Sequence, residues 1–278
     1  MPHRMSFGTV ALAGALMLSI AAAAAHDESK YPDWKGQWRR APGTGINWDE
    51  TKPRLKQEAP LIPEYQAIWE ASVTDQAAGG QGGDTRVRCI SNGMPRLMTI
   101  VRPLAFFIQD DMTLVVYDNN IPRWIYTDGR EMPKGAEPSY AGYSIGKWLD
   151  TDGDGRFDTL EVETKNFKGP RIYDDSGIPL HYDNESVIKE RLSLDKSNPN
   201  ILLNEITTYD HALTRPWTVT RTYQRTRAAR WFEHPCENAY SQHLYIAGEA
   251  YFFSADGRLM PGRKGQPAPD LRYFDQSR

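Results

Sequence analysis

The sequence predicts a mainly β protein, built as a single antiparallel barrel or sandwich behind an N-terminal arm with one helix. Three observations carry this. From about residue 95 onward, short apolar, β-branched or aromatic runs recur at close spacing, with turn residues between them. Around residues 158–164 the runs alternate with a period of two, as a half-buried strand requires. Aromatics make up 11% of the 278 residues, and there are 22 glycines and 19 prolines, which suits turn-rich β structure better than a helical bundle.

Taken in order, residues 1–25 read as a secretory leader. His3 and Arg4 give a basic start, 7–21 is apolar, and Ala23, Ala24 and Ala25 supply small residues for cleavage before His26. The expected location is periplasmic or secreted. No later stretch is long and apolar enough to span a bilayer. A net charge of −3 with interspersed signs gives no reason to expect nucleic acid or an anionic membrane as partner. In an oxidising compartment Cys89 and Cys236 are expected to form one disulfide.

The expected arm spans 26–94. Its helix is placed at 61–71, with Pro63 in the first turn, Glu64 at the positive end, and Tyr65, Ile68 and Trp69 on one face. Residues 78–84 form a Gly-rich link. The β domain spans 95–278. Strands are expected at 97–101, 104–109, 113–117, 123–127, 142–148, 158–164, 186–194, 201–210, 217–225 and 249–253.

The most specific motif lies between two of these strands. Asp150, Asp152, Asp154 and Asp158 occupy positions one, three, five and nine of a calcium-type loop. Gly155 stands at the sharp turn, Arg156 can offer its carbonyl at position seven, and Glu161 is at position twelve. Such carboxylates would repel one another without a cation, so the expected cofactor is structural Ca²⁺. Position eight, Phe157, departs from helix-flanked loops, which carry a smaller aliphatic residue there. If the following strand starts early, Glu161 points away from Asp158 and water takes its place.

Candidates for chemistry are fewer. Glu190 alternates with Ile188, Leu192 and Leu194, which places a carboxylate on an apolar face. Two readings stand: a buried salt bridge to an arginine, or a site acid, base or ligand anchor. His181 and His211 lie in expected loops, where sites are commonly built, and either could serve as a base or simply pack a turn. Arg130 could anchor an anion or satisfy neighbouring acids. No phosphate loop, nucleophile elbow, H-E-x-x-H or cysteine zinc pattern is present.

Several stretches carry a resemblance. Pro32-Asp-Trp34, Gly93-Met-Pro-Arg96, Tyr126-Thr-Asp-Gly-Arg130, Gly142-Tyr-Ser-Ile-Gly146 with Trp148, and Asp158-Thr-Leu-Glu-Val-Glu-Thr164 resemble a family of exported, largely uncharacterised proteobacterial proteins. Many of its members join the Trp to Asp-Thr-Leu through only a couple of residues, so 150–157 looks like an insertion and calcium like a subgroup feature. The resemblance implies a secreted β-rich fold of lipocalin-like barrel type and no agreed activity.

The functional expectation is therefore an exported β-barrel that binds a small, largely apolar ligand, with calcium stapling one rim. The alternatives are a lyase, isomerase or hydrolase using Glu190 with His181 or His211, and a structural envelope protein.

Overall fold

The computed structural model describes residues 26–41, 48–49, 51–80, 82–88, 90–99, 102–118, 121–227, 243–246, 249–253 and 259–268. The expected leader, Cys89 and Cys236 lie outside the described residues.

Nine strands close a barrel in chain order: β1 (Gln37–Arg40), β2 (Leu104–Ile108), β3 (Met112–Tyr117), β4 (Arg123–Tyr126), β5 (Tyr143–Leu149), β6 (Thr159–Lys165), β7 (Val187–Leu194), β8 (Ile201–Tyr209) and β9 (Trp217–Thr226). The fold is thus a single mainly β barrel, with one α-helix among the described residues, as the sequence predicts. Neighbours are antiparallel except β4 and β5, which run parallel with Ile125 opposite Ser144. Closure depends on the N-terminal arm. β1 pairs with β2 through Trp38 and Leu104, and with β9 from Gln37–Thr226 to Arg40–Tyr223. The Gln-Trp-Arg-Arg run carries no strand signal in the sequence, because it is four residues long and its second inward-facing residue is Arg40 rather than an apolar one.

The expected strand at 249–253 forms β11 (Glu249–Phe253), but outside the barrel. It pairs with β10 (His243–Ile246) and β12 (Leu259–Pro261) in a three-stranded sheet. The expected strand at 97–101 is also corrected: Arg96–Met98 is a 3-10 turn. Its N–H groups bond locally, Leu97 to Gly93 O and Met98 to Pro95 O, so this apolar segment can be buried without a strand partner.

Alternation fills the lumen. Ile188, Glu190 and Leu192 on β7 face inward beside Leu202, Asn204, Ile206 and Thr208 on β8. Burying each large apolar side chain is worth about 1.5–3 kcal/mol. Gly146 on β5 shows how full the interior is, since a Cβ there would lie 2.7 Å from Ile125 and 3.1 Å from Leu160. The antiparallel order puts loop 150–158 and the β7–β8 turn at one end of the barrel. The segments 166–186 and 210–216 lie at the other.

That second end is capped by α1 (Pro63–Ala77), whose Tyr65 and Trp69 pack with Tyr173, Ile178, Leu213 and Trp217. The helix opens at Pro63, two residues later than expected, and runs on to Ala77 rather than ending at 71. Ile68, expected on the same buried face, is 47% exposed, because Tyr65 and Trp69, four apart, already fill the contact.

Candidate functional site

The loop-150 rim combines the acidic loop with an aromatic groove. Asp150 folds the loop by accepting the N–H groups of Gly153 at 2.7 Å, Asp154 at 3.2 Å and Gly155 at 2.9 Å. Gly153 and Gly155 adopt positive φ, which side chains other than glycine rarely tolerate. Oxygens of Asp150, Asp152 and Asp158 lie within 4.8 Å of one another. Oδ2 of Asp158 accepts the Thr151 backbone N–H at 3.1 Å and its hydroxyl at 2.6 Å. Its Oδ1 is shielded from solvent and meets no well-aligned donor among the described residues.

Two expected ligands stand apart from that trio. Glu161 is already on β6 and exposed, where it pairs with Arg191 on β7 at 2.5 Å. Strand alternation turns it outward, so it does not join the loop carboxylates. Asp154 accepts the Arg156 N–H at 2.8 Å and lies outside the three-carboxylate group. Arg156 reaches the groove described next.

Phe157 explains its unusual position. Its ring packs 5.3 Å from Tyr31 and 6.4 Å from Trp148, and its N–H donates to Lys30 O at 2.8 Å. The loop is thereby docked onto the N-terminal arm. Beside it runs a groove of about 460 Å³, walled by Tyr31, Trp34, Phe106, Phe107 and Ile108, with Arg156 at its edge. Phe107 is 54% exposed. Trp34 is buried, and its indole N–H has no partner among the described residues.

Glu190 lies inside the barrel. It pairs with Arg123 on β4, and its Oε1 accepts from Asn204 at 2.9 Å. Arg123 also donates to Ser144 at 3.1 Å and Thr164 at 2.8 Å. Burial opposes charge on the guanidinium, but the Glu190 carboxylate together with the Tyr117 hydroxyl outweighs this and raises its pKa. Sequence reasoning left Arg123 unnamed, although its alternation with Ile125 on the expected strand put it on the same inner face.

His181 and His211 meet each other but not Glu190. Each ring places Nδ1 against the Asp183 carboxylate, at 2.9 Å from Oδ1 and 2.6 Å from Oδ2. Asp210, the sequence neighbour of His211, instead accepts the backbone N–H groups of His181 and Ala212 at 2.9 and 2.8 Å, and the Ser186 hydroxyl. Arg130 is remote from both groups in role. It pairs with Asp128 at 2.6 Å and stacks on Tyr126. The expected acid–base constellation of Glu190, a histidine and Arg130 is therefore not assembled, because Glu190 is locked in a filled interior and the histidines belong to end loops.

No helix among the described residues is long and apolar enough to cross a membrane. Comparison with family models, curated proteins and solved structures gives no match to this chain.

Proposed function

We propose that this is an exported β-barrel protein that binds a small, largely apolar ligand in the rim groove, with Ca²⁺ in loop 150–158 holding that rim. The observation that carries the reading is the groove itself. Its volume of about 460 Å³ falls within the usual range for small-molecule sites, and Tyr31, Trp34, Phe106, Phe107 and Ile108 give it an apolar wall beside the polar Glu28, Lys35, Gln109 and Arg156. The lumen is a poorer host, since it is filled by the core side chains and the Arg123–Glu190 pair.

Calcium is supported by the three converging carboxylates and the shielded Asp158 oxygen, which suit a hard cation with oxygen ligands. Phe157 couples the loop to Tyr31, a wall of the groove. Glu161 is left out of the ligand set proposed here, and water fills its place.

The test is titration with an apolar fluorescent dye, followed by Trp emission. Wild type is expected to bind one dye, and Phe107→Asp to weaken binding at least tenfold while melting like wild type. Equal binding by Phe107→Asp would remove the groove from consideration.

A further inference from the structure

We propose that His181, Asp183 and His211 form a binding site for a divalent transition-metal ion of the zinc class, at the barrel end opposite the acidic loop.

The donor set comes first. Two imidazoles and one carboxylate suit Zn²⁺ and its first-row neighbours, whereas Ca²⁺ takes oxygens. One ligand atom from each residue lies within 4.8 Å of the other two. Ligands at about 2.0–2.2 Å from a tetrahedral centre sit roughly 3.3–3.5 Å apart. Opening the present 2.6 and 2.9 Å contacts to that spacing needs only small rotations, and His211 is 69% exposed along its side chain and able to swing.

The hydrogen bonding within the cluster shows how its atoms face one another. The Asp183 backbone N–H donates to His181 Nδ1 at 3.2 Å, which requires a lone pair on that nitrogen. The same Nδ1 faces Asp183 Oδ1 at 2.9 Å. In that tautomer two electron-rich atoms face each other, and a cation between them relieves the repulsion once the single Nδ1 lone pair turns from the Asp183 N–H to the metal. One carboxylate thus presents both oxygens to two imidazole nitrogens, the arrangement a metal would bridge.

The site is also held in place. Tyr65 on α1 lies 5.0 Å from the His181 ring, and its hydroxyl accepts the Tyr182 N–H at 3.0 Å. Asp210 ties the 181–186 loop to the 210–212 loop through the bonds described above, fixing His181 relative to His211. Tyr65 and Asp210 are positioning residues. Three protein ligands leave coordination positions open, and a groove of about 410 Å³ with Arg215 at its wall adjoins His211. An open position beside a groove is how catalytic rather than structural zinc is held. The competing reading is a plain hydrogen-bonded clasp between two loops.

The test titrates the mature chain with Zn²⁺ by calorimetry, with Ca²⁺ in excess so that loop 150–158 does not compete. Co²⁺ is used in parallel for its visible d–d bands. Expected are one Zn²⁺ per chain and intense Co²⁺ bands. Binding should weaken about 100-fold or more in His211→Ala and in Asp183→Asn, and stay unchanged in Asp152→Asn. His211 is exposed, so its variant is expected to keep the wild-type melting temperature without metal. Wild-type affinity in His211→Ala, or no Zn²⁺ binding and no Co²⁺ bands in the wild type, overturns the proposal in favour of the clasp.

Discussion

Arg123 on β4 and Glu190 on β7 form an ion pair across the barrel interior, although two strands separate theirs in the sheet. Neither side chain reaches solvent beyond 1%. The pair is fully desolvated, so its two halves depend on each other. Replacing one partner leaves a buried charge, which costs about 3–5 kcal/mol. Glu190→Gln is expected to lose that much stability in urea unfolding. The double variant Arg123→Met, Glu190→Met should recover much of the loss. A loss below about 1 kcal/mol in Glu190→Gln would mean that water reaches the pair.

A second buried arginine sets the acid limit. Arg96 bridges Asp84 at 2.9 Å and Asp175 at 2.6 Å, joining the Gly-rich link to the segment that plugs the barrel end. Desolvation acts against Asp84, but Arg96 and Arg86 outweigh it and hold its carboxyl well below the usual carboxylate range. The folded pKa is lower than the unfolded one of about 3.9. Its stabilisation is therefore complete above about pH 5 and is lost as pH falls through 4 towards the folded pKa. Thermal melting should show this decline, and Asp84→Asn should flatten it while lowering stability at neutral pH. An unchanged acid limb in Asp84→Asn would assign the effect to other carboxylates.

For the acidic loop, Ca²⁺ at about 100 times its dissociation constant would add about 2.7 kcal/mol, a rise of about 5–10 °C for a chain of this size. Chelation should remove that rise, and so should Asp152→Asn with Asp158→Asn. Glu161→Gln should leave it intact, because that carboxylate pairs with Arg191 on the outer face. A calcium effect that disappears in Glu161→Gln would contradict the outward orientation. Phe157→Ala should weaken Ca²⁺ and dye binding together, since its ring joins the loop to Tyr31.

The three predictions rest on interactions of different legibility. β6, β7 and β8 were readable because each has one wet and one dry face, so alternation appears directly in the residue order. Loop 150–158 was readable because its candidate ligands are all local. Its limits were less so: whether Glu161 faced the loop depended on where β6 begins, a matter of one or two residues.

What the sequence by itself determined is the mainly β class, most of the barrel strands, the helix with Pro63 in its first turn and the acidic loop, all of which follow from local periodicity, turn chemistry and spacing. Tertiary structure alone decided that β1 closes the barrel, that Arg96–Met98 is a buried 3-10 turn rather than a strand, that Glu190 belongs to Arg123, and that Asp183 gathers His181 and His211. The physical reason is separation along the chain. Arg123 and Glu190 are 67 residues apart, and His211 and Asp183 are 28 apart. Barrel curvature brings Arg123 and Glu190 together across the lumen, and the β7–β8 register, with Val187 opposite Tyr209, brings Asp183 to His211.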